Sequence, residues 1–471
     1  MGSLFSALDS AASALDAFQR AVDVTQNNVT NANSPGYAVQ VPVFQSQDLQ
    51  SGNGLSGGVL EQTQNERNPF ADAAVRQQLS LQGAAQQLQT SLTPLQNVFD
   101  VSSGSAIPSA LNQLFSSFSQ WSTQPSNAVY QTAVISAAQQ TATAFQQAAS
   151  QLSSIQSSTV QDLQTTVSQI NQDAASIQNY NVSLSQQGGA DPGAQAQLES
   201  TLEDLSGLAN VQVIAGNSGT VTVLLGGQTP LVIGSQVDQL QVQSVATNGE
   251  NGPPNQAIVD SNGNDVTSQI TSGSLSGLLT AVNDVIPSLA GGGTQTGGLN
   301  TLAKGLADAV NNLLEQGSST ATPPYQAGVP MFTYNAASPA GIAASLSVNP
   351  ALTPGGLAAT NPGPPVESNG IALQLAGLDS APGGQIGGMG FTQYFGTLVS
   401  QVGNAVSNAS TSATAQTQLV AQAKNLQQQL SGVNLDDEAI RLVQLQSSYQ
   451  AASKVVTVID ELTQSLMTMV Q

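Results

Sequence analysis

Four groups of residues in this chain have types and spacings that chemistry could use. VDSNGND, residues 259–265, sets Asp260, Asn262 and Asn264 at alternate positions, as in a calcium-binding loop. Such a loop needs Gly at its sixth position, where Asp265 stands, so the expected element is a hairpin turn at Asn262-Gly263. Asp436, Asp437 and Glu438 form an acidic trio suited to acid–base or metal chemistry. They also follow Asn434, a good helix N-cap, and carboxylates in a first turn favour the helix dipole. Lys304, Lys424 and Lys454 are the only lysines, and none lies in a nucleophile motif. The glycines of GGGTQTGG, residues 291–298, neither open a helix directly after a strand nor precede Gly-Lys-Ser/Thr, as a phosphate loop requires.

Composition narrows the chemistry further. The 471 residues include no His and no Cys. That removes Ser-His-Asp triads, cysteine nucleophiles, disulfides and His- or Cys-based metal centres. The expectation is a protein that is not an enzyme and holds no cofactor or metal. Seven basic residues against 28 acidic ones give a net charge of −21. So few cations cannot build a phosphate-binding stripe, and no nucleic-acid partner is expected. A hydrophobic content of 40% suffices for real cores. No apolar run is long enough to span a membrane. The start, MGSLFSALDSAASALDAFQR, lacks the basic and apolar regions of a cleavable secretory signal. It fits a cytosolic protein or one exported by a route that uses no such signal.

The elements follow from periodicity. Positions 4, 8, 11, 15, 18, 22, 25 and 29 alternate fours and threes and hold Leu4, Leu8, Ala11, Leu15, Phe18, Val22, Thr25 and Val29. That predicts a heptad helix over 1–33. It should stop at Asn33-Ser34-Pro35-Gly36-Tyr37, where Pro35-Gly36 suits a type II turn. Helices are expected from about 72 to 98, 111 to 121, 128 to 181, 299 to 314 and 391 to 430. From about 208 the period changes to alternation, with Val211, Val213, Val221, Val223, Leu225, Leu231 and Ile233, and the region reads as β-rich. A last heptad helix, broken from its predecessor at 431–433, carries Leu442, Leu445, Tyr449, Val456, Ile459 and Leu466. The fold class is mainly α with an inserted β-rich middle. Both termini supply helix seams, which either close an intramolecular coiled coil or pack against neighbouring copies.

Two stretches then resemble a known family. NNVTNANSPGYAVQ, residues 27–40, resembles the signature after the first helix of the bacterial flagellar rod and hook axial proteins, with Asn27, Asn28, Asn31, Asn33, Pro35, Gly36 and Tyr37. VNLDDEAIRLVQLQSSYQAASKVVTVIDEL, residues 433–462, resembles their shared carboxy-terminal helix, with Asp436, Glu438, Gln450 and Ala451. Residues 110–145, 209–235, 328–335 and 342–352 are similar to the hook-associated protein 1 branch, whose members sit at the hook–filament junction. The chain departs from that pattern at Tyr130, where Arg is usual. It also departs at Ala196-Gln197-Leu198-Glu199, where Asp-Gln-Arg-Asp is usual, and at Ala38-Val39, where Ser-Arg is usual.

The resemblance implies an architecture and a role. Residues 1–35 with 436–471 would form the inner tube domain, 36–195 with 388–435 a helical rod-like domain, and 196–387 a β-rich outer part. Copies would assemble into a ring, with hook protein on one side and hook-associated protein 3 on the other, and filament assembly would require it. Export would use the flagellar type III route without a cleaved signal peptide, placing the protein in the extracellular flagellum. A chaperone would bind the last helix. The alternatives are another axial component, hook or distal rod protein, or a secreted coiled-coil surface protein.

Overall fold

The computed structural model describes residues 2–46, 59–100, 107–187, 191–216, 219–246, 252–380 and 386–470. It is mainly helical, with small sheets in the middle of the chain. The first helix, α1 (Gly2–Asn31), stops where the sequence said it would: the Tyr37 amide donates to the Ser34 carbonyl, and Gly36 has a φ of 70°. Pro35 and Gly36 are thus the central pair of a type II turn. The chain then makes an antiparallel hairpin, β1 (Gln40–Ser46) with β2 (Val59–Asn65), which lies against α1 and brings Phe44 within 5.4 Å of Phe18, ring to ring.

The body begins at α2 (Pro69–Leu92), capped by Asn68, whose side chain accepts from the amides of Phe70 and Ala71. The short α3 (Leu95–Val98) and α4 (Ile107–Thr123) lead to a turn at Gln124–Asn127 and then to α5 (Ala128–Gln187), 60 residues without a proline. After α6 (Pro192–Leu208) comes the β region. Strands β3 (Val211–Ala215), β4 (Val221–Leu225), β5 (Thr229–Ile233) and β6 (Gln236–Val237) form a four-stranded antiparallel meander. Strands β7 (Gln241–Val245) and β8 (Asn255–Val259) form a separate pair.

Beyond β8 the middle is no longer β-rich. It continues as α7 (Ser274–Thr280), one π turn over Ala281–Val285, α8 (Ile286–Ala290) and α9 (Gly298–Gln316). Pro287 lacks the amide that an α-helical ladder would use, which accounts for the wider turn just before it. Two-residue strands β9 (Phe332–Thr333) and β10 (Ser347–Val348) flank α10 (Ile342–Ser345), and α11 (Gly370–Ala376) precedes the long α12 (Phe391–Ser431). The expected β-rich stretch 196–387 therefore has its strands mostly between 211 and 259. Leucine-rich helical periodicity at 299–314 already marks where strand alternation ends.

Two apolar cores hold the body, and α5 runs through both. Its first half joins a core of Leu111, Leu114, Phe118 and Trp121 from α4, Leu302, Leu306 and Val310 from α9, and Phe391 and Phe395 from α12. Its second half, with Leu163, Ile170 and Ile177, joins Leu202 and Leu205 of α6, Val223 and Leu231 of the meander, and Leu275 and Leu278 of α7. The cores thus divide residues 196–387 between them near residue 281. Tyr130, one of the departures, packs partly buried against the first core. Where α2 crosses α6, a Cβ on Gly83 would strike the Gly207 carbonyl, so the helices meet backbone to backbone.

The last helix, α13 (Leu435–Val470), packs along α1 and along no helix of the body. Neither core contains a residue of α1, β1, β2 or α13. Together these four elements form a terminal unit with its own contacts.

Candidate functional site

The terminal unit is fastened by a buried polar knot built from signature residues. Asn28, fully buried on α1, donates from Nδ2 to the Gln40 carbonyl at 2.7 Å and to Glu438 Oε2 on α13 at 3.0 Å. Its Oδ1 accepts from the Gln40 amide at 3.0 Å and from the Tyr37 hydroxyl at 2.9 Å. An Asn is needed here because one amide supplies two donors and an acceptor, and all are used. Arg441 Nη1 donates to the other oxygen of Glu438 at 3.3 Å. Burial first, and then the Glu438 charge, pushes the Tyr37 hydroxyl above its ordinary pKa.

Asn28 near the end of α1 meets Glu438 near the start of α13, so the two helices run antiparallel. Asn434 caps α13 by accepting from the Asp436 amide at 3.1 Å. Of the acidic trio, Glu438 is thus a buried partner of α1, while Asp436 and Asp437 are exposed. No group of three His, Cys, Asp or Glu suited to a metal exists among the described residues. At the other candidate loop, Asp260 accepts from the Asn262 and Asn264 amides, and Val259 bridges to Asp265, so its carboxylate closes a tight turn. The Asn264 side-chain amide, which donates to the same carboxylate at 2.9 Å, and then these backbone bonds hold the Asp260 carboxyl below the usual pKa. The glycines at 291–298 lie between α8 and α9, after a helix and not a strand.

The seam residues are placed as follows. On α1, Leu8, Leu15, Phe18 and Val22 are partly buried, and the side chain of Leu4 lies outside the described residues. Val29 is 45% exposed. The fully buried stripe is Ala17, Ala21, Thr25 and Asn28, rotated from the expected one. Of the larger residues, Phe18 turns toward the hairpin, where its ring meets Phe44. On α13, Leu445 is buried and Leu442, Val456 and Ile459 are partly buried, on the face that carries Glu438. Tyr449 and Leu466 are more exposed, at 37% and 39%. Asn27, Asn33, Pro35, Gln450 and Ala451 are exposed and Asn31 is partly buried, so these signature residues stand outside the knot.

A second cluster, which sequence reasoning missed, joins the terminal unit to the body. Arg67 lies 3.4 Å from Asp72 and 3.8 Å from Glu199, and its guanidinium also donates to the Gly36 carbonyl. Arg76 pairs with Glu199, and Lys424 lies 3.3 Å from Glu203. Gln427 donates to Asp72 at 2.8 Å and to Glu203 at 3.1 Å. Burial pushes the Glu199 carboxyl above its ordinary pKa; Arg76 and Arg67 oppose the rise, and Asp72 and Glu203 add to it. Gly36 rests on α6, where a Cβ would overlap the Ala196 carbonyl. The departures Ala38 and Val39 are buried, and the Val39 amide donates to the Ser431 carbonyl at 2.9 Å.

Comparison with known proteins matches these regions one by one. The family model described as "Flagella basal body rod protein" matches residues 8–37, and "Flagellar basal body rod FlgEFG protein C-terminal" matches 427–469. The model described as "Flagellar hook-associated protein FlgK helical domain" matches residues 92–332. Flagellar hook-associated protein 1 of Bacillus subtilis is 25% identical over 511 residues, covering 98% of this chain and 97% of that protein. Flagellar hook-associated protein 1 of Salmonella typhimurium is 39% identical over 100 residues, 21% of this chain and 17% of that one. Among solved structures, the flagellar hook junction protein FlgK from Burkholderia pseudomallei superposes with a TM-score of 0.63 at 16% identity, over 75% of this chain and 99% of that one, which supports the fold. Since the helical-domain model spans just over half of the chain, this protein belongs to the flagellar hook-associated protein FlgK family and is a structural component of the flagellar hook–filament junction.

Proposed function

We propose that copies of this chain join through their terminal units into a ring in the flagellar axis. Hook protein contacts one side of the ring, hook-associated protein 3 contacts the other, and filament growth requires it. The observation that carries this reading is an apolar stripe left in solvent on α13: Ile440, Val443, Val455, Val458 and Leu462, each at least half exposed. With Ser447 and Ala451 between Val443 and Val455, these positions step by threes and fours along a face turned away from α1. A helix with two apolar stripes is expected to bury both, and a partner helix from another copy suits the second. Leu419, Leu426 and Leu430 on α12 extend the apolar surface toward the start of α13. The role is structural, with no catalytic step. The chain reaches the cell exterior through the flagellar export route without cleavage, and before assembly an export chaperone covers α13.

The test is deletion of the gene, with electron microscopy of the cells and an assay of flagellin in the medium. Hooks without filaments, with flagellin shed, are expected. Missing hooks would move the role to the hook or rod, and unchanged filaments would refute it.

A further inference from the structure

The chain gathers nearly half of its scarce positive charge in one place. Three of its seven cations, Arg67, Arg76 and Lys424, meet Asp72, Glu199 and Glu203 in a balanced cluster, while the rest of the chain is strongly acidic. The cluster draws on the β2–α2 link, α2, α6 and α12, and it reaches across to the terminal unit only through Arg67 and the Gly36 carbonyl. A cavity of about 320 Å³ separates Lys424, Gln427 and Glu203 from the turn at 32–38.

Little else holds the terminal unit to the body. No apolar core crosses the boundary. The chain crosses it at two non-helical links, 66–68 and 432–434. The remaining ties are two hydrogen bonds, the Val39 amide to the Ser431 carbonyl and Asn65 to Gln195 at 2.6 Å, and the close approach of Gly36 to α6. Two folded pieces joined by short irregular links and few contacts make a hinge unless something fixes the angle. Asp72 and Glu199 keep only 2% and 8% of their side-chain surface, so salt screens these pairs weakly and a broken pair is costly.

We propose that this six-charge cluster is a hinge lock, which seats Arg67 against the Pro35-Gly36 turn and holds the terminal unit at one angle to the body. Asp72 and Glu199 aim the Arg67 guanidinium, Arg76 neutralises Glu199, and Gln427 ties Asp72 to Glu203 across to α12. Loss of the lock frees the terminal unit to swing as a rigid piece while both parts stay folded. In a ring built as proposed above, the locked angle is the angle at which each body projects; the lock itself requires no assembly.

The absence of native cysteine makes the full chain directly suitable for paired spin labels. One pair spans the hinge, Ser157→Cys on α5 with Ser453→Cys on α13. A control pair lies within the body, Ser157→Cys with Ser400→Cys on α12. The lock is removed with near-isosteric neutral residues, Arg67→Gln, Asp72→Asn and Glu199→Gln together, and distances are measured by double electron–electron resonance at a concentration where the chain is monomeric. The expected result is one narrow distance across the hinge in the parent, at least a twofold broader distribution in the lock variant, and an unchanged control distance. An unbroadened hinge distance overturns the proposal. So does broadening of both pairs, because the cluster would then hold the body together and not the angle. Failure of ring formation in cells would leave these outcomes untouched.

Discussion

The body and the terminal unit solve the same problem differently. The body buries Phe118, Trp121, Phe145, Leu163 and Ile170 completely or nearly so, in two cores that share α5. The terminal unit has a seam of Ala17, Ala21 and Thr25, one buried amide–carboxylate knot, and a row of large apolar residues facing solvent. The body therefore carries its stability within one chain. On the reading proposed here, the terminal unit completes its burial only against other copies, and a helix pair of this kind is marginal in isolation.

The largest effects should separate the two regions. Phe118→Ala, in a filled core, is expected to cost about 3–5 kcal/mol in chemical denaturation of the monomer. Ile440→Ala, 58% exposed in the monomer, should cost less than about 0.5 kcal/mol yet weaken self-association at high concentration. A substantial loss of monomer stability from Ile440→Ala would break the distinction.

At the boundary, asymmetry within one ion pair is informative. Arg76→Gln leaves Glu199 buried with only the more distant Arg67, and should cost about 2–4 kcal/mol. Glu199→Gln removes the buried charge itself and should cost clearly less, in the same denaturation measurement. Equal costs would mean that burial is not the dominant influence on Glu199.

Inside the terminal unit, Asn28→Ala strips Glu438 and the Gln40 backbone of their partner. A loss of about 1–3 kcal/mol is expected, read as faster amide exchange in α1 and α13 with the α5 amides unchanged. Faster exchange at α5 as well would blur the line between the regions.

The smallest expected effect is the response to acid. Burial raises the Glu199 and Asp173 carboxyls above their ordinary values, and Asp204 adds to the rise at Asp173 while Gln169 opposes it. The folded state then holds protons that the unfolded state releases. Stability falls as pH rises through the folded values, and it is regained as pH falls toward the ordinary carboxylate range. Relief of repulsion from a net charge of −21 acts in the same direction. The denaturation midpoint of the monomer should hold or rise between about pH 7 and about pH 5, and Glu199→Gln with Asp173→Asn should flatten that profile. A midpoint that falls steadily over that range would contradict the sign.

Much of this fold was legible because its signals are local. The type II turn needs only Pro35-Gly36, the α13 cap only Asn434 with the acids after it, and α5 only a long apolar period without proline. The full burial of Ala17 and Ala21 on α1 was not legible because alanine carries a weak hydrophobic signal. The hinge cluster was invisible for another reason. Arg67 and Glu199 are 132 positions apart, and Asp72 and Gln427 are 355, so only the packing of α2, α6 and α12 brings them together. A signal was present in the composition: so few cations in so acidic a chain are worth tracing first.

Native-state hydrogen exchange on the full-length monomer, resolved by segment, tests the central claim most directly. The account predicts fast exchange across α1 and α13 against strong protection of α4 and the first half of α5, with the terminal amides becoming protected as copies assemble. Terminal amides as protected as α5 in the monomer would contradict it, because the terminal unit would then be complete without a partner.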